Sequence, residues 1–368
     1  MLYHLLVPLA DEHIVFNLFR YITFRAVGAM ATALVLCFVF GPVIIRWLRA
    51  LRVGEVVRDD GPENHLGKAG TPTMGGVLIL AATTTATLFW ARLDNPFTLI
   101  ALGVLLTMGA LGFLDDYLKV VRKRPEGLVG RYKLIGQGVV GLIVGTALVA
   151  VPLGDLPWHW TAVPFFAEYH LEIWRPVFIP WVILVLAGSS NAVNLTDGVD
   201  GLAAGLSSIA AATFGIFAYL IGRVDASSYL GLFYIPGSGE LAVFCVALAG
   251  AALGFLWYNA HPADVFMGDT GSLALGGAIG AVALLLKSEF LLLFVGGVFV
   301  LEALSVILQV GYFKYTARRY GRGRRIFLMA PLHHHFEKAG WPESKVIIRF
   351  WIVGILFTLI ALSTLKIR

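Results

Sequence analysis

Asp115, Asp116, Asp197, Asp200 and Asp269 stand where long apolar stretches of the chain end. An ionised carboxylate beside a low-dielectric slab is costly unless a cation balances it, so such a set marks a site more readily than it marks packing. Asp115 and Asp116 occur in the run Gly112-Phe113-Leu114-Asp115-Asp116-Tyr117-Leu118-Lys119. Neighbours on a helix point about 100° apart, so one acid can face a metal or substrate while the other orients it. Lys119 follows one turn later. The competing reading is a solvated helix end whose charges satisfy one another; the position at the end of an apolar stretch argues against it.

Three further segments carry polar chemistry. Asn191-Ala192-Val193-Asn194-Leu195-Thr196-Asp197-Gly198-Val199-Asp200-Gly201 leaves one apolar stretch and enters another. Its glycines permit tight turns or close approach of a ligand, and its amides and acids suit a nucleotide, a phosphate or a cation. Helix capping by Asp197 or Asp200 is the plainer account, though it leaves two asparagines unexplained. Tyr258-Asn259-Ala260-His261-Pro262-Ala263-Asp264-Val265-Phe266-Met267-Gly268-Asp269-Thr270-Gly271-Ser272 opens a helix with free backbone N–H groups and a carboxylate, a combination fitted to a magnesium-bridged diphosphate. An ordinary N-cap at Asp269 is the alternative. Phe266 can stack on a base, although burial is the commoner fate of a phenylalanine. Last comes Pro331-Leu332-His333-His334-His335 in a loop rich in arginine. Three successive histidines cannot all face one ion on a helix, so zinc is a poor fit; phosphate oxygens suit them, as an anchor for anionic headgroups suits the arginines. Glu302 lies within an apolar stretch with Gln309 two turns away on the same face. It reads equally as a functional group or a structural hydrogen bond, and it is not assigned to the site.

The elements that must hold these residues are membrane spans. A chain of 368 residues with 58% hydrophobic and 14% charged content and a mean hydropathy of +0.81 has too much apolar surface for one soluble core. Windows of about 20 apolar residues run over 22–45, 74–93, 97–114, 134–153, 176–196, 201–222, 241–260, 270–286, 290–313 and 346–365. The expected fold is an all-α integral membrane protein of about ten spans, in a single domain covering 1–368. Of the 28 Lys and Arg, most fall in the loops around 46–68, 119–133 and 314–349. Those loops should therefore face the cytoplasm, leaving both termini outside. All five acids then fall on the cytoplasmic side. The outer stretch 152–175 carries Trp158, Trp160 and Trp174, which suit an interfacial belt. Gly276, Gly277 and Gly280 suit close helix packing. Cys37 and Cys245 read as small buried hydrophobes. The net charge of +5 is spread over short loops, which argues against nucleic acid. The start lacks a cationic signal region and reads as mature protein.

Asp115-Asp116-x-x-Lys119, Asn194-Leu195-Thr196-Asp197-Gly198-x-Asp200-Gly201-Leu202, Phe266-Met267-Gly268-Asp269-Thr270-Gly271-Ser272 and Pro331-Leu332-His333-His334-His335 resemble the phospho-N-acetylmuramoyl-pentapeptide transferases. These form a branch of the polyprenyl-phosphate N-acetylhexosamine 1-phosphate transferases. Lys68-Ala69-Gly70-Thr71-Pro72-Thr73-Met74-Gly75-Gly76 and the histidines point to the muramoyl-pentapeptide branch, and the likeness runs from about residue 20 to the C-terminus. The resemblance implies a multi-pass enzyme of the bacterial plasma membrane. Its reaction would transfer phospho-N-acetylmuramoyl-pentapeptide from the uridine diphosphate carrier to undecaprenyl phosphate, giving lipid I and UMP. It further implies Mg²⁺ on Asp269 with Asp115 or Asp116 nearby, and catalytic roles for Asp115, Asp116, Asp269 and His333. Substrate contacts are implied for Lys68, Lys119, Asn194, Asp197, Asp200, Asn259, Phe266, His334 and His335, with Phe266 on the uracil. A homodimer is left open. The nearest alternative is a sister enzyme using N-acetylglucosamine 1-phosphate; a secondary transporter is disfavoured, because transporters hold their polar site near the bilayer midplane.

Overall fold

A computed structural model describes residues 1–50, 70–124, 126–150, 156–166 and 169–366. In chain order the helices are α1 (Leu2–Leu6), α2 (Ile22–Ala50), α3 (Gly76–Trp90), α4 (Pro96–Val120), α5 (Gly130–Ala150), α6 (Arg175–Thr196), α7 (Leu202–Ile221), α8 (Val224–Leu230), α9 (Glu240–Asn259), α10 (Gly268–Leu285), α11 (Glu289–Val295), α12 (Gly297–Tyr320), α13 (Leu332–Lys338) and α14 (Glu343–Ser363). Between α5 and α6 stands one antiparallel pair, β1 (Trp160–Ala162) and β2 (His170–Glu172), with Thr161 opposite Leu171.

Nine helices among the described residues are long and apolar enough to cross a membrane: α2, α4, α5, α6, α7, α9, α10, α12 and α14. The expected span over 74–93 narrows to the 15-residue α3, about 22 Å of helix. Its approach is used otherwise, for Phe266 N donates to Pro72 O while Gly75 and Gly76 N donate to Phe266 and Met267 O. The stretch 290–313 also differs from expectation. The helix breaks at Gly296, and α12 continues to Tyr320; apolar composition does not register such a break.

α10 is the hub, with α3, α4, α6 and α7 around it, and 89% of its most apolar window is buried. Small residues allow this. A Cβ on Gly276 would meet Ser189 O at 2.5 Å and one on Gly280 would meet Ser189 Oγ at 2.2 Å, so α6 and α10 touch through backbone and short side chains. Cys37 and Cys245 are buried free thiols, as expected.

The end of the bundle remote from the acids has its own polar ties. Arg25 of α2 makes a buried two-bond ion pair with Glu240 of α9, both at 2.6 Å, and Glu240 also accepts Arg92 N. The Met1 ammonium donates to Leu88 O near the end of α3. Lys366, beyond α14, lies 3.7 Å from the centre of the Tyr229 ring in α8. The described ends of the chain thus share one end of the bundle. Of the three tryptophans expected at the interface, Trp174 is exposed, while Trp158 packs on Phe178 of α6 and Trp160 of β1 stacks on His170 of β2 at 3.8 Å. The pairing of β1 with β2 gives Trp160 its partner.

Candidate active site

The opposite end gathers the polar motifs. α4 carries Asp115 and Asp116 ahead of its last turn, α5 holds Lys133 in its first turn, α6 ends near Asn194, and α10 begins at Gly268. α4 and α10 approach at Gly112, where a Cβ would lie 2.1 Å from Asp269 O. No residue with a side chain permits that approach, so Gly112 brings Asp269 beside the acids one turn further along α4.

The 100° between Asp115 and Asp116 then divides their work. Asp116 turns to the start of α10, accepting from Asp269 N at 3.1 Å, Thr270 N at 2.9 Å and Thr270 Oγ1 at 2.7 Å. It satisfies donors that a helix start leaves open, doing from another helix what a local N-cap does. Met267, the residue at that position, supplies no side-chain cap. Gly268 takes a left-handed φ of +71°, and a Cβ there would meet Asp116 Oδ2 at 2.6 Å.

Asp115 turns the other way. Its Oδ1 accepts Leu128 N at 2.5 Å, and its Oδ2 lies 2.5 Å from Lys119 Nζ and 3.5 Å from Lys133 Nζ. The same two ammonium groups reach Asp269 Oδ2 at 2.7 and 2.9 Å. Asn194 donates to Asp269 Oδ1 at 2.5 Å and to Ser272 Oγ at 2.8 Å. The centre is therefore two carboxylates bridged by two lysines, with Asp116 behind them. Asp115 is 1% exposed against 36% for Lys119, so an arriving anion meets the ammonium first.

The ligand oxygens of Asp115, Asp116 and Asp269 lie within 4.8 Å of one another. Three carboxylates and two ammonium groups leave one negative charge in excess, and hard oxygen donors of this kind suit Mg²⁺, which binds through one or two carboxylates together with substrate phosphates. The donor set fits the ion.

Lys133 had no assigned role from sequence, where it counted only as a loop cation. The available signal was a lysine in the first turn of an apolar helix, where a charge needs a partner.

The other expected residues lie around this centre. Asp197 follows α6 directly, one turn beyond Asn194. Asp200 belongs to a separate cluster: its Oδ2 is 3.1 Å from His261 Nδ1 and accepts Ala263 N, while Asp200 N donates to Glu343 Oε1. Asn259, expected as a substrate contact, is 2% exposed and commits both amide atoms, accepting Gly201 N and donating to Val265 O. It laces two loops together. Phe266 is half-buried beside the 72–76 segment. Lys68 lies outside the described residues. His333 is wholly buried, with Nδ1 3.2 Å from Glu302, while His334 Nδ1 is 2.7 Å from Glu337 and His335 Nδ1 accepts Leu328 N. Nε2 of both His333 and His334 comes within 3.2 Å of the place a Cβ on Gly198 would take.

A helical bundle that buries acids and lysines at one mouth of a membrane defines a polytopic membrane enzyme of the phosphoryl-transfer type. The family model for glycosyl transferase family 4 matches residues 97–287, and the phospho-N-acetylmuramoyl-pentapeptide-transferase signature 1 matches residues 68–80. Proteins named phospho-N-acetylmuramoyl-pentapeptide-transferase align over the full length of both chains: 58% identical in Gemmatimonas aurantiaca, 56% in Desulfatibacillum aliphaticivorans and 54% in Citrifermentans bemidjiense. The chain belongs to the phospho-N-acetylmuramoyl-pentapeptide-transferase family.

Proposed function

We propose that this multi-pass protein of the bacterial plasma membrane transfers phospho-N-acetylmuramoyl-pentapeptide from its uridine diphosphate carrier to undecaprenyl phosphate. The products are lipid I and UMP. The observation that carries the reading is the pair of ammonium groups, Lys119 and Lys133, held between Asp115 and Asp269 at the mouth of the bundle. In the proposed topology that mouth faces the cytoplasm, where a soluble nucleotide and a lipid phosphate can meet.

Phosphoryl transfer asks mainly for positioning and charge neutralisation. An oxygen of the lipid phosphate attacks the sugar-bearing phosphorus, the pyrophosphate P–O bond breaks, and the electron pair leaves with UMP. Lys119 and Lys133 neutralise the phosphate oxygens on either side of that bond. Asp115 orients the attacking phosphate, which is already ionised near neutral pH and needs little help from a base. Asp116 fixes the start of α10 and so the place of Asp269. Asp269, with Asp115 and Asp116, would hold Mg²⁺, whose charge stabilises the diphosphate. Asn194 holds Asp269; Asp197, His334 and His335 contact the nucleotide side, Phe266 faces uracil, and Lys68 contributes a further cation. Asp200 acts through the loop it anchors.

The test is lipid I formation by the purified protein from the UDP-linked pentapeptide, with and without Mg²⁺, alongside UDP-N-acetylglucosamine. Transfer from the pentapeptide donor alone, lost without the metal, supports the reading; transfer from the other sugar overturns it. Direct attack is favoured over an aspartyl-phosphate, because Asp115 and Asp269 each spend oxygens on ammonium groups. A phosphorylated aspartate trapped without lipid acceptor would reverse that preference.

A further inference from the structure

Glu302, Gln309 and Thr316 are spaced seven apart on α12, so they stand on one face, with about 21 Å between the first and last. Each grips the chain that follows. Thr316 Oγ1 accepts Arg324 N at 2.8 Å. Gln309 Oε1 accepts Ile326 N and Phe327 N at 2.9 and 3.0 Å, and its Nε2 donates to Phe327 O at 3.0 Å. Glu302 Oε1 accepts His333 N at 3.2 Å. After the left-handed Gly321, the backbone therefore runs back along α12, largely exposed, until His333 is buried against Glu302. The last of the three also addresses a side chain: the Glu302 carboxylate lies 3.2 Å from His333 Nδ1, and both groups are fully buried. Glu302 Oε2 and both ring nitrogens of His333 have no hydrogen-bond partner among the described residues, the approach of Nδ1 to Glu302 being a close charge contact alone. Buried polar atoms left open are costly, and His333 Nε2 sits beside Gly198 of the Asp197–Asp200 loop, where a phosphate oxygen or water would satisfy it.

We infer that this stripe of α12 is a rail that sets the histidine segment against the Asp197–Asp200 loop, and that Glu302 and Gln309 are positioning residues for the transfer reaction. The inference rests on the function proposed above. Glu302 fixes the backbone at His333 and places its carboxylate beside the ring, while Gln309 fixes the approach of the segment. Neither needs to touch substrate.

The experiment is a double-mutant cycle on the full-length protein, read as lipid I formation with both substrates varied. Glu302→Ala and Gln309→Leu should each lower kcat/KM for the UDP-linked pentapeptide at least tenfold and leave KM for undecaprenyl phosphate within twofold of wild type. Glu302→Gln keeps an acceptor for His333 N and should retain most of the activity. In a His333→Ala background, Glu302→Ala should cause a smaller loss than in wild type, because the ring is already gone and only the bond to the backbone N of residue 333 is left to lose. If His333→Ala turns over too slowly, the cycle is read from the Kd of the UDP-linked substrate, and if Glu302→Ala fails to fold, Gln309→Leu carries it. A loss as large in the His333→Ala background as in wild type overturns the rail. Failure of the wild-type protein to make lipid I instead sinks the proposed function, a separate result.

Discussion

Replacing Gly112 by alanine tests whether the meeting of α4 and α10 sets the reaction. The new Cβ would lie 2.1 Å from Asp269 O, 2.4 Å from its carbonyl carbon and 2.7 Å from Thr270 N, all backbone atoms. To restore an ordinary contact of 3.4 Å, the helices must part by about 1.3 Å. The hydrogen bonds from Thr270 N and Oγ1 to Asp116, at 2.9 and 2.7 Å, then pass out of reach. Asp269 moves away from Asp115 and from Asn194. A displacement of about 1 Å in a positioned group costs on the order of 10²-fold in rate, about 2.7 kcal/mol of barrier, and the overpacking costs about 1–3 kcal/mol of stability. The assay is initial-rate lipid I formation by purified protein, with thermal unfolding recorded on the same preparation. Gly103→Ala is the control: it lies on the same helix with nothing within 4 Å of its Cβ, and should match wild-type turnover with stability unchanged or about 0.5–1 kcal/mol higher. A folded Gly112→Ala protein working within twofold of wild type would refute the reasoning.

Asp269→Ala should abolish Mg²⁺-dependent turnover while the protein stays folded, whereas His333→Ala should cut activity yet retain Mg²⁺ binding measured by calorimetry; full activity in either variant removes that residue's role. Lys133→Met leaves Asp115 and Asp269 facing each other with one ammonium fewer, so turnover should drop at least tenfold, and wild-type kinetics would show Lys119 alone to suffice. Arg25→Met strands the buried Glu240 carboxylate and should cost about 3–5 kcal/mol in unfolding experiments, much of it recovered in Arg25→Met with Glu240→Leu; an undestabilised single variant would contradict the buried pair. The Lys287 amine, just past α10, is pushed down to about 8 from 10.5 by burial, against the opposing pull of Glu289. Between about pH 8 and 10.5 the unfolded chain binds a proton that the fold rejects, so this group makes stability rise with pH there; a thermal-unfolding profile in that window should be flatter for Lys287→Met, and equal slopes would count against it.

The spans were legible because a bilayer leaves the backbone few choices: some twenty apolar residues in a row must form a helix. The acids were legible as a group because a carboxylate at such a boundary needs a reason. Their division of labour was not. Asp115 and Asp116 are chemically alike in the chain, and only the approach of α10 at Gly112 makes one a helix cap and the other a partner of lysines. Lys133 looked like one loop cation among many until α5 set it 2.9 Å from Asp269. Glu302 read equally as structure or function, since nothing local reports that the chain folds back from Gly321 to bring His333 against it.

Composition and motif order thus determined by themselves a membrane-embedded helical protein, the family it resembles and the set of side chains from which its chemistry is drawn. Tertiary structure alone decided which of those side chains meet, which are consumed in holding loops, as Asn259 is, and which unremarked residues join them. The reason is physical. Hydropathy and helical period are properties of neighbours along the chain, whereas charge pairing at 2.5 to 3.5 Å depends on the packing of helices from distant parts of it.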